Sequence, residues 1–412
     1  MKKEFLILGN GAASIKAIEG IRQTDKDSVI TVLAKEKYPA YSPLLTTYII
    51  SGELEEKDAF YRTAEWYKNF NVNLRTLTKA VRVDPREHKV YSDNGESFRY
   101  DKLLAATGAS PHVPDLPGKD LKGVHTLRTL KDAGEIKNRL GKTKTAVVIG
   151  GGLVSCKAAE ALYKKGINLH MVISSSRLLS KYLSSEPSEF IRRQAEERGI
   201  VFHLDTDVTE IAGKDEVEGV RLRDGSFIRC GLVLIGKGVR PNTEMFSSSG
   251  VKISSGILVD NYLATSDPDI FAAGDAAEAP NYLTGKNELS AIWPAAVEQG
   301  RIAGLNMTGK KVPYQGILSR NVVSLFGITL VSAGINRISP GEHQVIVSRG
   351  AKRDSYRQII LNSDSRIVGA LLLGDPDGIG KILSLMIKGT EVKNSSKLLY
   401  PKYLDTTSAF NR

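Results

Sequence analysis

Short apolar runs that end in glycine turns and feed helical stretches recur along the first three quarters of the chain, a pattern that calls for parallel strands with helical crossovers. Phe5-Leu6-Ile7-Leu8 runs into Gly9-Asn10-Gly11-Ala12-Ala13-Ser14, and Val29 to Leu33 reads as the next strand. The same phrase returns as Ala146-Val147-Val148-Ile149 with Gly150-Gly151-Gly152-Leu153-Val154-Ser155, followed by a helix from Ser155 to Lys165 and a strand from Leu169 to Ile173. Further on, Ile257 to Asp260 and the segment Thr265 to Asp275 read as an apolar strand ending in Gly274-Asp275. From residue 310 the pattern changes. Val322 to Phe326, Gln344 to Val347, Tyr356 to Leu361 and Ile367 to Leu373 predict short strands, with a hairpin turn at Asn362 to Ser365. A helix is expected over Ile379 to Ile387, stopped by Gly389. The aromatic end, Leu398 to Tyr403, fits either a packed tail or an interface.

Each glycine turn between an apolar strand and a helix presents bare backbone N–H groups and a positive helix end, which is what a pyrophosphate needs. Two such turns imply two dinucleotides. In both, a serine stands at the third small position, Ser14 and Ser155. Glu36, just past the Val29 to Leu33 strand, is placed to take a ribose hydroxyl pair, the alternative being a solvated loop carboxylate. Asp275, just past a strand end and beside a glycine, suits hydrogen bonding to a sugar-like chain.

With 412 residues, 41% apolar and 25% charged, the chain has room for two or three ordinary globular domains. No apolar stretch approaches the roughly 20 residues of a membrane span, and the opening Met1-Lys2-Lys3 leads into a strand too short for a secretory signal. A cytoplasmic location is expected. Cys156 and Cys230 are the only cysteines, far apart, and six dispersed histidines offer no metal-ligand spacing. The net charge of +11 is scattered without a basic run, which argues against nucleic acid and suits an acidic protein partner.

The two glycine turns, Tyr100-Asp101-Lys102-Leu103-Leu104-Ala105-Ala106-Thr107-Gly108, Gly238-Val239-Arg240-Pro241-Asn242, Gly274-Asp275 and Trp293-Pro294-Ala295-Ala296-Val297-Glu298-Gln299-Gly300 occur in an order and spacing that resembles the class I pyridine nucleotide-disulfide oxidoreductases. The resemblance covers essentially the full length. It implies an α/β fold with two Rossmann-like dinucleotide-binding domains plus a small C-terminal α+β domain. FAD would be held by residues 1–112 and 244–309, NAD(P)H by residues 113–243, and residues 310–412 would cap the flavin or mediate a homodimer. By carry-over, Gly9, Gly11, Ala12, Ala13, Ser14, Glu36, Thr107, Gly108, Gly274 and Asp275 bind FAD, and Gly150, Gly152, Leu153, Val154, Ser155 and Gly238 bind the nicotinamide nucleotide. Relatives with disulfide chemistry keep a cysteine pair in the first domain. Nothing before Cys156 can supply one.

Within that family the chain resembles the single-flavin subgroup that includes the electron-transfer subunit of phenylglyoxylate dehydrogenase, on Tyr41-Ser42-Pro43 and Leu127-Arg128-Thr129-Leu130. The end of the Leu169 to Ile173 strand departs from the NAD-specific pattern. Ser174-Ser175-Ser176-Arg177 replaces the usual acidic residue, so Ser174 and Arg177 become candidates to accept the 2′-phosphate of NADPH. Lys157 stands where many relatives carry a glutamate facing flavin and nicotinamide, and a cation there would favour the anionic reduced flavin. Trp293 lies in the segment that flanks the flavin in the family, where an aromatic ring covers the cofactor or packs the core. The implied activity is electron transfer between NAD(P)H and a protein carrier, either a small ferredoxin or rubredoxin or an iron–sulfur partner subunit. Alternatives are an NAD(P)H oxidase, a quinone or persulfide reductase, and a flavin-bound regulatory or structural protein.

Overall fold

The computed structural model describes residues 2–336, 341, 343–350, 355–393 and 398–399. The chain divides into two compact units. One comprises Met1–Leu45, Glu55–Ser110 and Val239–Ser319, and the other Thr46–Leu54, Pro111–Gly238 and Arg320–Arg412.

The first unit is built on a five-stranded parallel sheet in the order Ile270–Ala272, Lys102–Ala105, Glu4–Leu8, Val29–Leu33, Val72–Arg75. Phe5 to Leu8 are all buried, because a central parallel strand is covered on both faces and has no polar side to show. Two helices, Ala12–Thr24 and Trp293–Met307, cross closely through small residues. A Cβ on Gly300 would lie 2.1 Å from the Ala13 carbonyl oxygen, and one on Gly304 would lie 2.2 Å from that of Ala17. The Gly-x-x-x-Gly spacing of the second helix is therefore a packing device that lets the two backbones touch.

The second unit repeats the plan with strands Val201–His203, Asn168–Val172, Thr145–Ile149, Leu232–Ile235 and Val124–His125, all parallel. Its central strand serves two cores by alternation. Ala146 and Val148 pack with Cys156, Leu162 and Met171, whereas Val147 and Ile149 pack with Val208, Val220 and Val233.

The residues after 319 form an antiparallel sheet in the order Arg320–Leu325, Ile328–Gly334, Ile367–Leu373, Tyr356–Leu361, Gln344–Arg349. The Ile328–Gly334 strand is absent from the sequence reading. Its hairpin turns at Phe326 and Gly327, both left-handed with φ of 51° and 78°, and a phenylalanine in that conformation is not a turn signal. The other expected turn holds: Ser365 N–H donates to the Asn362 carbonyl, and the Asn362 side chain accepts from Asp364 and Arg366 N–H. The last helix, Ile379–Lys388, stops at left-handed Gly389 as expected. Of the aromatic tail, Tyr400 to Tyr403 lie outside the described residues. Among the described residues no helix is long and apolar enough to cross a membrane.

Candidate functional site

The two glycine turns have matching geometry, although only the two glycines and the serine are shared between them. Gly9 has φ of +103°, donates its N–H to the Leu33 carbonyl at 2.8 Å, and would place a Cβ 2.1 Å from the Ala106 carbonyl oxygen. Gly150 has φ of +115°, donates to the Val172 carbonyl at 2.8 Å, and would place a Cβ 2.3 Å from the Gly236 carbonyl oxygen. Each is pressed against the end of the neighbouring strand and can only be glycine. Gly11 and Gly152 differ in kind: an added Cβ at either would meet nothing within 4 Å. These open glycines are the N-caps of the Ala12–Thr24 and Leu153–Tyr163 helices, with no side-chain cap and no acidic residue in the first turn.

The contrast with the Leu130–Leu140 helix is direct. There Thr129 and Asp132 form a reciprocal capping box. At the two glycine turns the helix dipole and first-turn amides are left for an incoming anion, so both cradles fit a pyrophosphate on grounds of shape and charge.

The serines complete these turns from behind. The buried Ser14 hydroxyl donates to the Gly9 carbonyl at 2.8 Å, and that of Ser155 to the Gly236 carbonyl at 3.3 Å. A Cβ on Gly236 would lie 2.1 Å from Ser155 Oγ, so the serine and that glycine are spatially matched. Both hydroxyls bond backbone, and the first-turn amides of Ala12, Ala13, Leu153 and Val154 are the groups this geometry offers to an anion.

Around the first cradle, Asn10 accepts from the Tyr67 hydroxyl at 2.7 Å, tying the turn to the core. Glu36 accepts from Tyr41 Oη at 2.8 Å. Gly274, left-handed at φ +77°, donates its N–H to Gln299 Oε1 and lies 3.4 Å, by its virtual Cβ, from Ala13. Asp275 follows it in the Gly274–Ala276 turn and is half-buried. Thr107 donates its hydroxyl to the Asn242 carbonyl at 2.6 Å, while the Asn242 amide returns a bond to the Thr107 carbonyl at 2.9 Å and its N–H bonds Gly108. That clasp gives Thr107 a structural partner that the sequence does not reveal. Trp293 meets Tyr61 edge to face, with centroids 5.3 Å apart.

Around the second cradle, the Ser174 to Leu183 segment is folded on itself. Ser175 Oγ donates to the Arg177 carbonyl, Arg177 Nε donates to the Leu183 carbonyl, and Leu179 N–H donates to Gly151 O at 2.8 Å. Ser174 is exposed. Ser176 and Arg177 line a cleft of about 430 Å³ that also holds Ser185, Arg192 and the carboxylates of Glu186 and Glu189. Gly238 is exposed, with φ of +92°.

Lys157 is engaged within the second unit. Its ammonium bonds Glu160 at 2.5 Å and the Ser324 carbonyl at 3.2 Å, and sits 5.1 Å from the centre of the Tyr48 ring. Glu160 in turn accepts from Phe326 N–H at 3.1 Å. An ammonium neutralised in this way has little field left to tune a flavin, which is the physical limit on the role expected for it.

Among the described residues no group of three or more His, Cys, Asp or Glu is arranged to hold a metal ion. Both thiols are buried, and burial pushes them up, Cys156 far above its ordinary value and Cys230 to about 11.

One cluster was invisible in the sequence. His170 and His203, on neighbouring strands, stack with Nδ1 and Nε2 3.0 Å apart. Burial lowers both pKa values, His203 further lowers His170, and Asp224 partly offsets the fall at His203. Their unfolded values sit near 6.5, so stability is full above that pH and is lost as the pH falls below it, because the unfolded chain then binds more protons. Denaturant midpoints measured from pH 7.5 down to 5.5 should decline, with a slope of at most about 1.4 kcal/mol per pH unit for each proton. His203→Gln should flatten the decline. An unchanged slope would remove the pair as its source.

Residues 3–300 match the family described as Pyridine nucleotide-disulphide oxidoreductase, and residues 321–390 match the Rubredoxin NAD+ reductase C-terminal domain. The chain is 31% identical over 400 residues to an NAD(P)H nitrite reductase of Bacillus subtilis, covering 96% of this chain and 49% of that protein. It therefore spans about half the length of that relative. With the NADH-dependent phenylglyoxylate dehydrogenase subunit epsilon of Aromatoleum evansii the identity is 30%, over 94% of this chain and 92% of the relative. The ferredoxin reductase for the CYP199A2 system from Rhodopseudomonas palustris superposes with a TM-score of 0.84 at 27% identity, over 90% and 91% of the two chains. With two open pyrophosphate cradles in one chain, both inside the family match over residues 3–300, the chain belongs to the pyridine nucleotide-disulphide oxidoreductase family, enzymes whose two dinucleotides are FAD and NAD(P)H.

Proposed function

We propose that this chain takes electrons from NAD(P)H onto FAD and passes them to a protein carrier, a small ferredoxin or rubredoxin or an iron–sulfur subunit. The observation that carries this reading is the state of the thiols. Cys156 and Cys230 are both buried and held protonated by burial, so no thiolate is available to relay electrons to a disulfide or persulfide. Electrons on the flavin must then leave directly. The bound isoalloxazine would supply hydride acceptance and release of electrons singly or in pairs. FAD would lie on the Gly9 to Ser14 cradle, with Glu36 and Asp275 as its polar partners, and the nicotinamide nucleotide on the Gly150 to Ser155 cradle. Support for a carrier comes from the C-terminal match to a rubredoxin reductase domain and from the positive net charge, which favours docking of acidic carriers. A homodimer is part of the same proposal.

Stopped-flow reduction by NADH and NADPH, followed by a panel of ferredoxin, rubredoxin, quinone and oxygen, tests it. Fast flavin reduction with carrier turnover well above oxygen turnover is expected. Oxygen or quinone as the efficient acceptor would replace this reading with an oxidase or small-molecule reductase. In the same assay, Cys156→Ala combined with Cys230→Ala should keep turnover within about three-fold, since neither thiol is reactive. Loss of turnover with flavin retained would restore a thiol mechanism.

Ser174 is the position proposed to set the choice between nucleotides. A carboxylate there would take the ribose hydroxyls of NADH and repel the 2′-phosphate of NADPH. Ser174→Asp should raise KM for NADPH by about ten-fold or more, the equivalent of roughly 1.4 kcal/mol, with KM for NADH unchanged or lower. Equal KM values in parent and variant would place the selecting residue elsewhere.

A further inference from the structure

Beside the second cradle lies an ion pair that takes no part in the glycine turn. Lys237 Nζ donates to both carboxylate oxygens of Asp207 at 2.8 Å, and the two side chains are 18% and 29% exposed. Both residues belong to the second unit.

Each partner is anchored at one end of the nucleotide site. Lys237 follows Gly236, whose carbonyl lies against Gly150 and accepts from the Ser155 hydroxyl. Asp207 follows Asp205 and Thr206, whose N–H groups donate to the carbonyls of Ser175 at 3.3 Å and Ile173 at 3.4 Å. Consecutive Cα atoms are about 3.8 Å apart, so Asp207 stays within about 7.6 Å of Asp205, beside the turn that carries Ser174.

The sheet order sets what the pair spans. Val201–His203, which leads to Asp207, and Leu232–Ile235, which leads to Lys237, flank Asn168–Val172 and Thr145–Ile149. A bridge between them crosses the ends of the two strands that carry Ser174 and the cradle. It does so on the face opposite the cradle helix: Asp207 runs into Val208, which packs with Val147 and Ile149, whereas Cys156 of the helix packs with Ala146 and Val148. A dinucleotide on an open α/β sheet lies in the crevice outside these carboxyl ends. The pair therefore walls that crevice across from the helix N-terminus.

We propose that the Lys237–Asp207 pair balances the charge of the second cradle and so sets its choice between NADH and NADPH. The two nucleotides differ by the 2′-phosphate, which NADPH carries where NADH has a hydroxyl. Lys237 keeps the Asp207 carboxylate from repelling that phosphate, and Asp207 keeps the Lys237 ammonium from attracting it. The inference rests on the nucleotide site proposed above.

Calorimetric binding of NADP+ and of NAD+ to the flavin-loaded protein reads this balance without turnover. K237M leaves a bare carboxylate and should raise the ratio of Kd for NADP+ to Kd for NAD+ about five-fold, the scale of one charge within a Debye length of a phosphate. D207N leaves a bare ammonium and should lower the ratio by a similar factor. K237R keeps the pair and should keep the parent ratio. Asparagine retains an oxygen for the Val208 N–H that Asp207 accepts at 3.1 Å, and K237Q repeats the charge change of K237M should methionine disturb the fold. The opposite signs are the signature, because a bridge that only braced the loops would shift both variants the same way. Ratios that move together, or stay at the parent value while the parent binds nucleotide, overturn this inference alone. A parent that binds neither nucleotide overturns the proposed site and the inference with it.

Discussion

Gly9→Ala is expected to purify without flavin and with a markedly lower denaturation midpoint. The added Cβ would lie 2.1 Å from the Ala106 carbonyl oxygen, and the backbone sits at φ +103°, where an L side chain is strained. The conformational strain alone is of the order of 1–2 kcal/mol. The clash adds to it, because its other side is main chain at the end of the Lys102–Ala105 strand and cannot swing away. Gly11→Ala separates the two causes. Its Cβ meets nothing within 4 Å in the protein, so the fold should melt like the flavin-free parent, yet the methyl group would stand where the pyrophosphate approaches. FAD content read from absorbance should fall to under about a tenth in both variants, equivalent to more than roughly 1.4 kcal/mol of binding. Only Gly9→Ala should also lose stability in the flavin-free state. Full flavin occupancy in Gly11→Ala would move the pyrophosphate away from this turn. The paired substitutions Gly150→Ala and Gly152→Ala should divide in the same way for the nicotinamide nucleotide, read by its KM.

Glu160→Ala is expected to destabilise the protein by about 3 kcal/mol, the lower end for breaking a buried ion pair whose partner stays behind. The Glu160 side chain is 10% exposed and that of Lys157 16%, so water cannot replace the lost carboxylate fully. The substitution also strips the acceptor from Phe326 N–H, the turn residue of the hairpin between Arg320–Leu325 and Ile328–Gly334. Glu160→Gln keeps an oxygen for that N–H and should cost about half as much. Chemical denaturation of the flavin-loaded parent and variants gives the comparison. Equal midpoints for all three would mean that the pair contributes nothing to stability. Lys157→Glu is expected to resemble Glu160→Ala in cost, since it would set two carboxylates against each other. A redox titration of the same variant shows whether the flavin potential also moves, and an unchanged potential confines Lys157 to this clasp.

Much of the fold was legible because parallel strands are buried on both faces and leave continuous apolar runs, such as Phe5 to Leu8 and Ala146 to Ile149. The glycine turns were legible for a related reason. A left-handed residue pressed on main chain tolerates no substitute, so Gly9 and Gly150 mark the strand exits. The Ile328–Gly334 strand was not, because its turn is made by Phe326 in a left-handed conformation that its residue type does not signal. Nor was the partner of any polar side chain. Glu36 with Tyr41, Thr107 with Asn242 and His170 with His203 are contacts whose geometry depends on which strand or loop ends come to rest side by side.

The sequence by itself therefore determined the two strand–glycine–helix units, the cysteine inventory and the absence of an acidic residue at Ser174, since these are local or compositional and survive in one dimension. Only the tertiary structure decided what each polar group does. Ser14 and Ser155 bond the Gly9 and Gly236 carbonyls, Lys157 spends its charge on Glu160 and Ser324, and Thr47 is left with an unpaired hydroxyl at a cavity. Hydrogen bonds act over about 3 Å, so they are fixed by the packing of residues distant in the chain, and no periodicity along the sequence records them.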